Sequence, residues 1–389
     1  MTRPSSSRTL ERAMASRLVQ AHTTAFGSSV SRVSRRAFPG AAQRRSDGRA
    51  SRVFVAPRLR EMAPGPRGRA AAAADDDVPE LPDYDVVTLG PLETSALALS
   101  LRGWKGGSDD ANAFVAAIDR GYVLLGAHAP SELALAKEYE RYWRLSDAAQ
   151  LPGVRAPQVY AVVEVGAPGG ASVADALQAH GIAAGGAEPD IFCLRAATAG
   201  SDLDAAALAS SVAAAVELGA CPAVFAVDGF DAPSLTRFVK ALSALAPNAR
   251  VAFNRVAVSV ADAAAGAEGG VLRACADLGV GVVAADPLGE GDSVTDARSS
   301  AHDAGMAQLL AFLGAMVGGG VQRSPAQVGL NWVMSKGATP EVATRAATRA
   351  WECGGAMLWR LDENAVGIVD ERAAAASQGL ENEGKAVGA

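Results

Sequence analysis

The sequence predicts one α/β domain built as a (β/α)8, or TIM, barrel. Eight short β-branched runs alternate with longer Ala- and Leu-rich stretches between residues 83 and 372. The runs are continuously apolar, as parallel strands covered by helices are. No Gly-rich phosphate-binding fingerprint follows the first run, which counts against the alternative, a doubly wound open sheet. We therefore expect a closed barrel in which each right-handed crossover leads to the next strand.

The strand candidates occupy residues 86–90, 122–127, 159–165, 190–195, 223–228, 251–256, 281–286 and 337–342. Helical stretches between them include residues 109–119, 132–143, 204–218 and 233–242. Ser108, Ser131 and Ser324 are expected to cap helices, because a serine hydroxyl accepts from the unpaired amides of a first turn, and Pro325 suits a first helical position. A long Gly-rich gap separates the last two runs, where we expect an extra loop or helix.

The first 77 residues differ in composition from the rest of the chain. Residues 1–70 contain 15 arginines, no lysine and only three acidic side chains. A basic, Ser-rich and acid-poor leader is typical of an organelle transit peptide, so we interpret residues 1–77 as a transit peptide and disordered linker. We favour the chloroplast as its destination, with the mitochondrion as the alternative. An arginine-rich arm that binds nucleic acid is a second interpretation of the same residues.

The remaining residues form an acidic body with 21 basic and 39 acidic side chains. This balance is unfavourable for a nucleic-acid partner. The four cysteines are scattered without the pairing of a metal site, so we predict small buried side chains and no metal. No run reaches the 18 apolar residues that a membrane span requires, so we predict no membrane partner. Residues 373–389 are expected to be a flexible tail.

Three segments carry a resemblance to a known family. Residues 324–340, residues 272–283 and the turn Asp286-Pro287-Leu288-Gly289 resemble the part of aldo-keto reductases that closes their barrel. The resemblance implies an aldo-keto-reductase type of TIM barrel and an NADP(H)-dependent oxidoreductase that acts on carbonyl substrates. It also implies reacting groups at the carboxyl ends of the strands.

The same resemblance implies an acid tetrad of Asp, Tyr, Lys and His that this sequence does not hold. Gly126 stands at the Asp position, and the loop that would bring the Tyr is shortened. Glu164 stands at the Lys position and Arg195 at the His position. We therefore predict no catalytic residue of the family kind and a weakly active or inactive protein, a pseudoenzyme. His128 lies near the altered site, where a solvated loop histidine is the simpler interpretation.

The resemblance gives different expectations for the two ends of the cofactor site. At the nicotinamide end, Asp228, Gly229 and Arg255 replace the family's polar residues, and Ala285 replaces a stacking aromatic. At the adenosine end we predict that NADP(H) binds through seven residues: Arg345, Arg349, Glu352, Pro287, Leu288, Gly289 and Gly291. Arg345 and Arg349 are four apart and are expected on one helix face near its N-terminus, which favours an anion. An ordinary solvated helix face is the alternative.

Charged residues are expected to cluster at the barrel mouth. Glu164, Arg195, Asp228, Arg255 and Asp286 each close a strand candidate, and we hypothesise that they neutralise one another there. Three functions stay open. The first is a degenerate NADP(H)-binding reductase, and the second is a non-catalytic scaffold or regulatory barrel that binds an anionic metabolite or a protein partner. The third is an enzyme with other groups, such as a Glu164/Arg195 pair.

Overall fold

A computed structural model describes residues 86–146, 149, 155–166, 172–197, 204–260, 270–289, 301–317 and 321–387, with the backbone alone for 301–304 and 376–387. The transit peptide and linker predicted at residues 1–77 lie outside these residues, as does Gly291. Both stay predictions, as do the chloroplast and the mitochondrion as destinations.

Within the described residues, eight parallel strands close into a barrel, which confirms the predicted fold class. Around the barrel each strand pairs with the next one along the chain, and the last pairs with the first. The barrel strands are β3 (Ala98–Ser100), β4 (Leu124–Ala127), β5 (Gln158–Val165), β6 (Ile191–Ala196), β7 (Val224–Asp228), β8 (Arg250–Ala257), β9 (Gly281–Ala285) and β10 (Thr339–Ala343).

The first of the eight predicted strands is a strand, but the prediction that it belongs to the barrel is wrong. Residues 86–90 contribute β1 (Val86–Leu89), which pairs with β2 (Leu92–Ser95) in an antiparallel hairpin outside the barrel ring. The first barrel strand is instead β3, which has only three residues. A run that short carries no periodicity, so the sequence pattern does not distinguish it from a loop.

The hairpin closes the amino-terminal end of the barrel. Leu89 lies in the interior core with Tyr160, Cys193 and Phe253. The turn at Gly90 passes so close to β8 that a Cβ there would lie 2.6 Å from the Ala252 carbonyl oxygen. A Cβ on Gly281, the first residue of β9, would meet Leu89 at 2.7 Å. The carboxyl-terminal end is therefore the mouth of the barrel.

The helices surround the strands and follow the predicted stretches. They are α1 (Ser108–Asp119), α2 (Pro130–Arg144), α3 (Val173–Ala183), α4 (Ala205–Glu217), α5 (Ala232–Leu245), α6 (Val271–Leu278), α7 (Ala301–Met316), α8 (Pro325–Ser335), α9 (Ala347–Gly354) and α10 (Glu363–Val387). Helices α7 and α8 fill the long gap before β10, as expected.

Only one of the three serine caps is confirmed. Ser324 accepts from the Gln327 amide and Pro325 opens α8. The other two predictions are wrong, since Gly107 caps α1 and Ala129 caps α2, which begins with Pro130. At α1 the buried Asp110 carboxylate binds the loop amides, so no serine cap is needed.

Helix α10 extends into the segment that the sequence predicts as a flexible tail. It is helical as far as Val387, and residues 373–376 within it are four consecutive alanines, the strongest helix former. The flexibility of residues 373–389 stays a prediction. No helix in the described part of the chain combines the length and apolarity needed to cross a bilayer.

Candidate functional site at the carboxyl-terminal mouth of the barrel

Two strands show which side chains face the mouth. Tyr160 and Val162 of β5 lie in the interior core, so the alternation of a strand also turns Glu164 inward. Cys193 of β6 lies in the same core, which turns Arg195 inward beside it. Glu164 and Arg195 are partners in the β5–β6 register, and each lies two positions after the interior core residue of its strand, Val162 or Cys193.

A chain of ion pairs crosses this mouth from β6 to β10. Arg195 donates from Nε to Asp228 Oδ2 at 2.5 Å, and Arg255 donates from Nη1 to Asp228 Oδ1 at 3.1 Å. Arg255 also donates from Nε to Glu341 Oε2 at 2.6 Å. The side chain of Glu341 is 1% exposed and that of Arg195 is 41% exposed. The chain of charges therefore runs from a buried end to a solvent-facing one.

His128 joins the buried end of this network. Its Nε2 lies 2.8 Å from Glu341 Oε1 and 3.0 Å from Ser100 Oγ. Its backbone amide donates to Glu132 at 2.7 Å, which fixes the short connection between β4 and α2. That connection contains only His128 and Ala129. His128 is thus held within the mouth, and its side chain is only 7% exposed.

The hypothesis of a neutralising network is correct for three of its five residues. Arg195, Asp228 and Arg255 are joined, whereas Glu164 and Asp286 are exposed and take no part in it among the described residues. Asp286 follows β9 in a left-handed conformation, with φ of 49°. The network also includes Glu341, the penultimate residue of the strand candidate 337–342, which the sequence analysis left out of its strand-end charges. A single acid within an otherwise uncharged strand was the available signal.

The charges in the network hold one another in their ionised forms. Burial alone would raise the pKa of Glu341, but the charge of Arg255 and the hydrogen bond from His128 bring that pKa well below its ordinary value. Burial alone would lower the pKa of Arg255, whereas Glu341 raises it well above the ordinary range. Glu341 is therefore a carboxylate at neutral pH.

The lowered pKa of Glu341 predicts a loss of stability in acid. A carboxyl group with a pKa depressed by folding contributes stability that is fully present above its ordinary value, 4.5 for Glu341, and is lost as the pH falls below it. We expect the free energy of unfolding to fall between about pH 5 and pH 3. Urea unfolding across that range measures it, and Glu341→Gln should give a shallower slope. An equal slope in both proteins would contradict this assignment.

Tyr160 lies beneath the network with its hydroxyl fully buried. The hydroxyl has no hydrogen-bond partner of good geometry among the described residues. Burial raises the pKa of Tyr160 well above 10, and the negative charge of Glu341 raises it further. Gly126 makes room for both groups, since a Cβ at Gly126 would collide with the Tyr160 hydroxyl and lie 2.7 Å from Glu341 Oε1.

The predicted adenosine residues lie beside the mouth, at the ends of β9 and β10. Arg345 donates from Nε to the buried Asp110 at 2.6 Å, and its side chain is 46% exposed. The expectation that Arg345 shares a helix face with Arg349 is wrong, because α9 begins at Ala347 and Arg345 lies in the bend before it. Arg349 lies in the first turn of α9 and pairs with Glu352 at 3.1 Å.

The Pro287-Leu288-Gly289 turn follows β9 directly. Pro287 and Leu288 are buried, and Gly289 has a φ of 83° that favours glycine. At the other end of the predicted cofactor site, Asn254 of β8 is fully buried and its amide bonds the backbone of Phe230. Ala285 is buried as well. Each end therefore contains both buried and accessible residues: Arg345 is half-exposed at the adenosine end, and Gly229 is exposed at the nicotinamide end.

Comparisons with known proteins find structural relatives only. No protein-family model matches the chain, and no curated protein sequence matches it. A putative 2,5-diketo-D-gluconic acid reductase B is 16% identical, with a TM-score of 0.54 over 74% of this chain and 91% of that one. A Bombyx mori aldo-keto reductase in complex with NADP is 16% identical, with a TM-score of 0.55 over 74% of this chain and 92% of that one. The aldo-keto reductase MGS-M4, from a Medee basin deep-sea metagenome library, is 15% identical, with a TM-score of 0.53 over 74% of this chain and 94% of that one. This chain has the fold of aldo-keto reductases.

On this aldo-keto-reductase fold, the barrel strands supply an unusual set of chemical groups. The eight strands contain no lysine, and Tyr160 is their only tyrosine. Ser100, His128 and Glu341 do not form a nucleophile relay either. Such a relay uses different ring nitrogens for the nucleophile and the acid, whereas Ser100 and Glu341 both contact Nε2. Within the described residues, no group of three or more possible metal ligands is found.

Proposed function

We infer that this protein is a divergent aldo-keto reductase that binds NADP(H) and has weak or no carbonyl reductase activity. One observation carries the inference. In this family the strand ends at the mouth would hold the acid tetrad, and here they hold Gly126, Glu164 and Arg195 beneath and beside a paired chain of charges. The loss of the tetrad leaves no group that serves as the family's proton donor.

The electrostatics of Tyr160 support this inference. A phenol delivers a proton to a carbonyl oxygen efficiently when a neighbouring cation lowers its pKa towards neutrality. In this protein, burial and the carboxylate of Glu341 raise the pKa of Tyr160. Its hydroxyl also has no access to the mouth, because the residue is fully buried. Tyr160 is therefore not a substitute for the missing proton donor.

The residues at the adenosine end fit a nucleotide phosphate. Arg345 donates to Asp110 through Nε, and the exposed part of its guanidinium remains available to an oxyanion. Helix α9 has no side-chain cap, so its first amides and its dipole favour a negative charge. Bound NADPH would supply a hydride, and the Bombyx mori relative is a complex with NADP. The nicotinamide end fits less well, because Asp228 and Arg255, two of the residues expected there, are paired with each other.

NADPH fluorescence tests the cofactor site. We expect saturable binding by the wild-type protein and an affinity at least about tenfold weaker in Arg345→Ala, since a charge-assisted hydrogen bond to the phosphate is lost. Arg273→Ala is the matched control, because Arg273 pairs with Asp277 on the exposed face of α6. Equal affinities in wild type and Arg345→Ala would exclude the proposed phosphate contact.

Turnover tests the other half of the inference. We expect wild-type protein saturated with NADPH to oxidise it no faster than about one hundredth of an ordinary reductase rate when an aldehyde is added, since losing one stabilising group commonly costs about 10²–10³ in rate. Aldehyde-dependent oxidation at an ordinary enzymatic rate would contradict a degenerate site.

The alternative function is a non-catalytic barrel that binds an anionic metabolite, and one observation favours it. Arg195 is half-exposed at the mouth, and Asp228 holds its Nε side in place. A fixed guanidinium is suited to a carboxylate or phosphate. Binding of such an anion that requires Arg195 but not Arg345 would favour this alternative. A protein partner stays a prediction.

A further inference from the structure

The amino-terminal end of the barrel exposes large apolar side chains at neighbouring helix ends. Each helix that follows a barrel strand returns to this end, so the last residues of α4, α5 and α6 lie there side by side. Leu218, directly after α4, is 77% exposed, and Leu245, the last residue of α5, is 54% exposed. Large apolar side chains exposed next to one another indicate a contact surface.

A groove opens beside Leu245 at the same end of the barrel. It encloses about 570 Å³ between the β1–β2 turn and the ends of α5 and α6. Its lining is mostly apolar and includes Pro91, Leu242, Pro247 and Leu278. Of the residues that line it, only Arg250 is charged, and its Nη1 donates to the Ala249 carbonyl oxygen at 2.9 Å. The groove is therefore suited to an apolar side chain that has an acid next to it.

The end of α4 provides such a pair of side chains. Glu217 directly precedes Leu218, is exposed, and forms no ion pair with the described residues. A second copy of the chain that inserts its Leu218 into the groove would bring its Glu217 towards Arg250. Because α5 lies between α4 and α6 around the barrel, Leu245 lies between Leu218 and the groove. A two-fold axis through Leu245 would thus place each copy's Leu218 over the other copy's groove.

We propose that the protein forms a symmetric dimer through this amino-terminal end, with Leu218 of each copy in the groove of the other and Glu217 paired with the partner's Arg250. The charge of the body favours this face. Residues 71–389 contain 21 basic and 39 acidic side chains, so two copies repel each other over most of their surface. The connections at this end, residues 218–223, 246–249 and 279–280, contain no charged residue.

The size of the face is close to that of a stable interface. With neighbouring helices about 10 Å apart, three helix ends form a face roughly 30 Å wide. A circle of that width covers about 700 Å², whereas each partner in a stable complex buries roughly 800 Å². We therefore expect a dissociation constant in the micromolar range. The dimer leaves the mouth open at the opposite end of the barrel, so it does not depend on nucleotide binding.

Analytical ultracentrifugation of the full chain tests the proposal. We expect dimers at about 10 µM and monomers after dilution to about 0.1 µM. Leu218→Asp and Leu245→Asp should each weaken the dimer at least about 100-fold, since every substitution occurs twice in a symmetric interface. Phe312→Asp is the matched control, because Phe312 is a similarly exposed apolar residue on α7 and should leave the dimer unchanged.

A charge exchange tests the pairing of Glu217 with Arg250. Glu217→Arg should weaken the dimer about tenfold or more, because two cations then face each other in each half of the interface. Adding Arg250→Glu to the same chain should restore the wild-type dissociation constant, since opposite charges are paired again. A double variant as weak as Glu217→Arg alone would contradict this pairing.

Disulfide cross-linking tests the two-fold axis. The four native cysteines are buried, so Leu245→Cys should give a covalent dimer on mild oxidation, whereas Phe312→Cys should not. No covalent dimer from Leu245→Cys would exclude the proposed axis. A wild-type chain that stays monomeric at about 100 µM would overturn the proposal, whether residues before Val86 or another protein then fill the groove. So would a Leu218→Asp variant that dimerises as strongly as the wild type.

Discussion

Glu341→Ala is expected to lower the free energy of unfolding by about 3–5 kcal/mol, the cost of leaving a buried ion without its partner. Arg255 is almost fully buried, and its Nε donates directly to Glu341 at 2.6 Å. Without Glu341, the one ion-pair partner left to this guanidinium in the described part of the chain is Asp228, which it shares with Arg195. Urea denaturation followed by circular dichroism measures the loss.

Two further variants identify the cause of that loss. The double substitution Glu341→Met and Arg255→Met removes both ions of this pair and leaves the buried Asp228 paired with Arg195. It should recover most of the stability, since replacing an ion pair by apolar side chains of similar volume is often neutral or stabilising. Arg273→Ala breaks an exposed pair on α6 and should change stability by less than about 0.5 kcal/mol. A double variant as unstable as Glu341→Ala would show that packing, rather than the unpaired charge, is responsible.

Gly126→Asp, which places on β4 the carboxylate that the resemblance to aldo-keto reductases implies there, is expected to destabilise the protein by at least about 3 kcal/mol. Overpacking a buried site costs about 1–3 kcal/mol, and a second carboxylate beside Glu341 adds repulsion between like charges. The new Cβ would lie 2.7 Å from Glu341 Oε1 and would collide with Tyr160. Tyr160 has little freedom to move, because its ring packs against Phe253 with centroids 5.4 Å apart.

A pair of identical substitutions separates the steric part of this effect from the electrostatic part. Gly126→Ala adds only the Cβ and should cost about 1–3 kcal/mol. Gly181→Ala places the same Cβ on α3, where nothing lies within 4 Å, and should be neutral or stabilising by up to about 1 kcal/mol. If Gly126→Ala is as stable as Gly181→Ala, the close packing described around Gly126 is wrong.

The sequence predicted the architecture better than the site. Seven strand candidates coincide with barrel strands because parallel strands leave long apolar runs. The remaining barrel strand, β3 (Ala98–Ser100), is too short to show a pattern of apolar residues. The absence of a lysine from the eight barrel strands can be read from the residues alone. The ion-pair network cannot, because it depends on which side chains meet across the barrel: Glu341 contacts His128, 213 positions earlier in the chain.

The helix-face argument for Arg345 and Arg349 failed for a different reason. Spacing of four residues implies a shared face only when both residues are helical, and α9 begins after Arg345. The contact that places Arg345 is with Asp110, 235 positions away. Local spacing carries no information about such a partner.

The close fit between position 126 and Glu341 makes the two positions interdependent. A side chain at position 126 of β4 and the glutamate on β10 compete for the same volume. An acid introduced at position 126 alone therefore brings a steric and an electrostatic penalty. Any variant that carries a carboxylate on β4 would need a second, simultaneous mutation at a neighbouring position to relieve it.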